Sequence, residues 1–195
     1  MILPVRRRRV PGWRFLTEGE VAMASLLFKD AVDYRRVRIH RRRYMPFQPS
    51  NCAMTPNGAM YFHGSCFLDD FAVGTEHARH WFMHEMVHVW QHQLGYAVRA
   101  RGAIRLGLPY HYDLDPGKTL ADYNMEAQGD LLADFFVLRH LGSAASMRQR
   151  RYADSLALYQ QVLGHFLAHP ASRDNLPRDC GRLLTFFKRS TRHAP

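Results

Sequence analysis

The spacing of two histidines constrains this chain more than any other feature. The run His84-Glu85-Met86-Val87-His88 reads HExxH. It lies in the stretch Thr75 to Leu94, where Trp81, Met83, Met86, Val87, Trp90 and Leu94 supply apolar faces, Thr75 is placed to cap a helix and Gly95 to end it. On a helix, residues four apart stand one turn apart on one face. His84 and His88 can therefore aim two imidazoles at one point, with Glu85 beside the first. Two imidazoles are an incomplete ligand set, so the fold must bring a further donor from elsewhere. The same helix carries His77, His80 and His92 in a nearly continuous stripe. An accidental match within a histidine-rich amphipathic helix is the competing reading.

Two histidines and an adjacent carboxylate in this spacing are two ligands and the general base of a zinc hydrolase. A catalytic zinc takes three protein ligands and leaves one position for water. The downstream candidates are Glu126, Asp122, His111 and Asp130. Glu126 is preferred because it falls on a helix expected over 122–140, and a helix holds a ligand more firmly than a loop. Asp130, one turn on, can accept a hydrogen bond from a ligating histidine and fix its tautomer. The expected cofactor is one zinc ion per chain.

The chain has 195 residues and 47% hydrophobic content, enough for one core. Residues 1–15 read as a basic arm, with Arg6 to Arg9 in a row, and residues 16–195 as a single domain. Thr17-x-x-Glu20 is a capping box opening a helix over 18–30. Arg36 to Arg43 alternates like a half-buried strand. Pro56-Asn57-Gly58 is a turn signal between 52–55 and 59–62, which predicts a β-hairpin. Residues 96–121 read as irregular, 146–168 as a third long helix and Arg182 to Lys188 as a shorter one. The total is α+β: a mostly helical domain with a small sheet beside the HExxH helix. Cys52, Cys66 and Cys180 form no CxxC, and a disulfide framework is not expected.

HExxH followed 38 positions later by Glu126-Ala127-x-x-Asp130 resembles the gluzincin class of zinc metallopeptidases, to which thermolysin belongs. That resemblance implies a zincin-like fold, His84, His88 and Glu126 as ligands, Glu85 as base and Asp130 behind a ligand. A narrower resemblance rests on Met54-Thr55-Pro56-Asn57-Gly58-Ala59-Met60-Tyr61-Phe62, on Asp69-Asp70-Phe71, and on Met83 through Gln93. These runs are similar to metallopeptidase effector domains at the C-termini of type VI secretion spike proteins. It covers roughly 50–140 and implies an antibacterial toxin acting in a target cell's periplasm. The chain departs from the spike proteins in beginning at Met1 without a spike portion, which counts against delivery by secretion.

The implied reaction is amide hydrolysis through a zinc-activated water, with Glu85 moving the proton. The oxyanion needs a second electrophile, in gluzincins often a tyrosine or histidine. His111 and Tyr112 are the preferred pair among Tyr110, His111, Tyr112 and Tyr123. The expected substrate is a peptide or protein. One alternative keeps the site and acts on cell-wall peptides; another is a non-catalytic zinc-stabilised domain binding an anionic partner. The net charge of +10 suits an anionic wall or membrane surface, and no specific nucleic-acid partner is expected. A toxin also implies a cognate immunity protein or a secretion carrier. With neither a signal peptide nor a transmembrane segment, the expected location is the producer's cytoplasm or, by carried export, a target periplasm.

Overall fold

The capping box opens the first helix as its residues dictate. In the computed structural model, which describes residues 12–103 and 110–178 and leaves out the side chains of 101–103, α1 spans Glu18–Phe28. Thr17 Oγ1 accepts from Glu20 N, and the Glu20 carboxylate accepts from Thr17 N. Glu20 is fully buried, and its charge is met by a two-pronged Arg14 contact at 2.7 and 2.8 Å and by Phe71 N. This ion pair fastens strand β1, Trp13–Phe15, to the helix. β1 therefore falls inside the stretch expected to be arm; residues 1–11 lie outside the described part.

β1 pairs antiparallel with β2, Arg38–His40, which pairs parallel with β3, Met60–Tyr61. The sheet is small because its strands are short. The hairpin reduces to one bridge, Met54 to Tyr61, and the next carbonyl along, that of Cys52, accepts from Gln48 Nε2. Its turn survives: Gly58 has φ +76°, and a Cβ there would meet His92 Cδ2 at 2.6 Å.

Helix α2, Glu76–Gln93, runs from the Thr75 cap to Gly95 at φ +89°. It packs along α4, Met125–Phe136, which is buried at every residue. α4 starts later than expected because Asn124 Oδ1 caps Glu126 N and Ala127 N, while Asp122 caps a separate turn at Thr119. It continues through a π-helical turn, Val137–Leu141, and closes at Gly142, φ +63°. A short helix α3, Val98–Ala103, lies in the stretch expected to be irregular.

The third long helix is broken. Residues 150–152 form a tight turn, α5 spans Leu156–Val162 and α6 spans Gly164–Ala168. The backbone N–H groups of Arg148 and Gln149 donate to Asp134, and regular α-helix begins only at Leu156. Phe28, Trp90 and Phe166 form the core where α1, α2 and α6 meet. The architecture is α+β, as the sequence predicts. The expected helix at Arg182 to Lys188, and Cys180, lie outside the described residues; Cys52 and Cys66 are not joined in a disulfide. Among the described residues, no helix is long and apolar enough to cross a membrane.

Candidate metal centre

α2 and α4 bring three donors to one point. His84 Nε2 and His88 Nε2 are 3.2 Å apart, and Glu126 Oε2 lies 3.5 and 3.3 Å from them. All three residues are buried, and together they could hold a metal ion. The approach is close because residue 129 is glycine. A Cβ at Gly129 would stand 2.6 Å from His84 Cε1 and 2.8 Å from its Nδ1.

The outer nitrogens fix the tautomers. Asp130 Oδ1 lies 2.8 Å from His84 Nδ1, and a carboxylate only accepts, so Nδ1 carries the proton. His88 is set by a chain of amides. Gln128 Nε2 donates to the carbonyls of Leu120 and Asn175, so its Oε1 accepts from Gln91 Nε2 at 2.9 Å. That turns Gln91 Oε1 to His88 Nδ1 at 2.9 Å, which must then be the protonated nitrogen. Both Nε2 atoms thus present lone pairs to each other and to a carboxylate oxygen, an arrangement that invites a cation. In the metal-free chain burial opposes charge on His84, yet hydrogen bonds to Asp130 and Glu126 push its pKa up to about 10. Burial likewise opposes charge on Glu126, but His88 and His84 hold its carboxyl well below the usual range.

Glu85 is buried and accepts a 2.5 Å hydrogen bond from Thr55 Oγ1. It lines, with His84, a cavity of about 450 Å³. Tyr110 and His111 form part of the wall, the Tyr110 ring stacking near His84 with centroids 6.2 Å apart. His111 Nδ1 contacts Gln149 Nε2 at 2.7 Å. Tyr112 is a correction to the expected pair: it does not line this cavity. Its buried hydroxyl donates to Asp134 Oδ2 at 2.6 Å and meets Tyr159, and burial followed by Asp134 pushes its pKa far up. Asp134 is fully buried and also takes His80 Nε2 at 2.7 Å, so His80 is tied into the wall. His92 is exposed and packs on Gly58. A second pocket, of about 330 Å³, opens on His88 and Glu126.

Thr55, Gln91, Gln128 and Gly129 escaped the sequence reading. Gln91, three residues beyond His88, was the one with a local signal, since that spacing shares a helix face. Gly129, beside Asp130, was the other: glycine inside a helix costs about 1 kcal/mol against alanine and asks for a reason.

No family model matches the chain. Over 144 residues, 70% of its length, it is 40% identical to the type VI secretion system spike protein VgrG2b of Pseudomonas aeruginosa. It spans 14% of that protein's length. The solved effector domain of Pseudomonas aeruginosa VgrG2b superposes with a TM-score of 0.66 at 39% identity, covering 77% of this chain and 83% of that domain. At that identity and coverage, with the mostly helical fold and small sheet in common, the chain belongs to the family of the VgrG2b effector domain.

Proposed function

We propose that this chain is a zinc-dependent metallopeptidase and acts as a type VI effector. The observation that carries the reading is the donor triangle. Ligands about 2.0–2.1 Å from a tetrahedral zinc stand about 3.3 Å from one another. The three edges here are 3.2, 3.3 and 3.5 Å. Two imidazoles and one carboxylate also suit zinc chemically and leave a position for water. A zinc ion held by His84, His88 and Glu126 would supply Lewis acidity toward water and an amide carbonyl.

Glu85 takes the proton of the attacking water and returns it to the leaving amine. Thr55 supports that role by holding the carboxylate in place with its hydroxyl. Asp130 and Gln91 keep the histidine lone pairs inward. Tyr110, on the cavity wall with its ring near His84, is the side chain assigned to the developing oxyanion; both ring nitrogens of His111 are turned to Gln149, Arg151 and Asp113.

The test compares zinc content and peptide hydrolysis in wild type, Glu126→Ala and Glu85→Gln. About one zinc per chain should be lost in a still-folded Glu126→Ala. Glu85→Gln should keep the metal and lose hydrolysis by at least about a hundredfold. A wild type that stays metal-free after zinc is added back ends the proposal.

A further inference from the structure

The segment Asn51–Pro56 crosses the candidate centre and divides it. Asn51, Cys52 and Ala53 line the cavity that holds His84 and Glu85, whereas Met54, Thr55 and Pro56 line the pocket that holds His88 and Glu126. Met54 exchanges both backbone hydrogen bonds with Tyr61, at 3.2 and 2.9 Å. In an extended strand the neighbouring residues, Ala53 and Thr55, turn their N–H and C=O groups to the opposite edge. A peptide can add to that edge. Paired antiparallel, the more stable arrangement, it enters over the Met54 pocket and leaves over the Glu85 cavity.

The two sides differ in chemistry. The entry pocket is mainly apolar, walled by Met45, Met54, Met125 and Val98, with Arg99 also in its lining. Methionines adapt to irregular shapes and suit long or aromatic side chains. At about 330 Å³ it has room for one such side chain; the methyl groups of alanine-rich wall peptides would leave it largely empty.

The exit cavity is polar, and Arg148 stands in its wall. Arg14, Arg151 and Arg178 each pair with a carboxylate, but among the described residues none pairs with Arg148. Its backbone is pinned by the 2.7 Å bond from Arg148 N to buried Asp134. The two carboxylates in the same wall are engaged, Glu85 with Thr55 and Asp130 with His84.

We infer that the substrate is a polypeptide cut between a bulky apolar residue in the Met45–Met54–Met125 pocket and an acidic residue facing Arg148. The acidic residue lies on the C-terminal side of the cut. This inference rests on the metallopeptidase reading and selects protein over cell-wall peptide as its substrate.

The experiment incubates the zinc-loaded full chain with a peptide library randomised on both sides of the cut, read by mass spectrometry, alongside purified wall sacculi. Leu, Met or Phe should be enriched before the cut and Asp or Glu after it. Replacing the apolar residue by alanine should lower kcat/KM about tenfold or more. Arg148→Glu should keep its zinc and shift the preference after the cut to Lys or Arg. Met45→Trp, at a half-exposed position, should fill the pocket and shift the preference before the cut to small residues. Cleavage without these preferences, in the reverse order, or faster release from sacculi overturns this inference and leaves the peptidase standing. No cleavage of any substrate by the zinc-loaded chain overturns both.

Discussion

Replacing Gly129 by alanine adds one methyl group where the structure leaves no room for it. The new Cβ would lie 2.6 Å from His84 Cε1, 2.8 Å from Nδ1 and 3.0 Å from Nε2. Ordinary carbon contacts fall at about 3.5–4.0 Å, so the ring must retreat by about 1 Å. Backbone lies on the other side of that methyl, and α4 is buried throughout, so the imidazole is the part that can move. Such a retreat stretches the 2.8 Å bond to Asp130 and pulls Nε2 out of the donor triangle. Disturbing the partner of a ligating histidine typically costs about 10–100-fold in metal affinity, and a displaced ligand costs at least as much. Folding feels two opposed effects: alanine gains about 1 kcal/mol of helix propensity, and overpacking costs about 1–3 kcal/mol. The net cost to folding, about 0–2 kcal/mol, is of the same order as the about 1.4–2.7 kcal/mol of a 10–100-fold loss of affinity, so the two must be read separately. Competition against a zinc chelator, with urea denaturation of the metal-free protein in parallel, separates the two. A Gly129→Ala chain that binds zinc as wild type does would refute the argument that this close approach positions His84.

Other outcomes follow from the same geometry. Asp130→Ala should lower zinc affinity about 10–100-fold in a chelator titration, because the His84 tautomer loses its partner. Gln128→Leu should weaken zinc binding in the same assay by releasing Gln91, while Glu85 keeps its bond to Thr55. Metal-free protein should lose stability as pH rises: the His84 pKa is raised from 6.5 to about 10, so its contribution is full below about 6.5 and is lost on passing about 10. Urea midpoints taken with a chelator present should show that fall, and His84→Gln should flatten it. Asp134→Ala should cost about 3 kcal/mol or more, since it leaves His80, Tyr112 and two backbone N–H groups without their acceptor; a loss under about 1 kcal/mol in urea denaturation contradicts the hub role.

Much of the centre was legible because it is built from helices. Thr17 with Glu20, and Thr75 with Gly95, announce their boundaries through local hydrogen bonds that depend on neighbours in sequence. Helical spacing alone puts His84 and His88 on one face, and Glu126 with Asp130 on another. What escaped depends on distant partners. The periodicity of 146–168 is helical, but a carboxylate fourteen residues before Arg148 fixes the backbone at 148 and 149, and regular helix begins only at Leu156. Tyr112 follows His111 and looked equally placed to face a substrate. Alternation in an extended segment sends it to Asp134 and Tyr159 instead. The hairpin stops at one bridge where Gln48, outside both strands, takes the carbonyl of Cys52, which the ladder would have used next.

The amide chain behind His88 reaches far along the polypeptide. Gln128 Nε2 is held by two carbonyls, those of Leu120 and of Asn175. Asn175 in turn is fastened by its own amide to His169 and Ser172. A chain emerging from the ribosome has both histidines and Glu126 long before it has this last anchor. Its donors can meet early, but the orientation of His88 is completed only when the segment around Asn175 has docked. The metal centre therefore reaches its final geometry at the end of folding, not partway through synthesis.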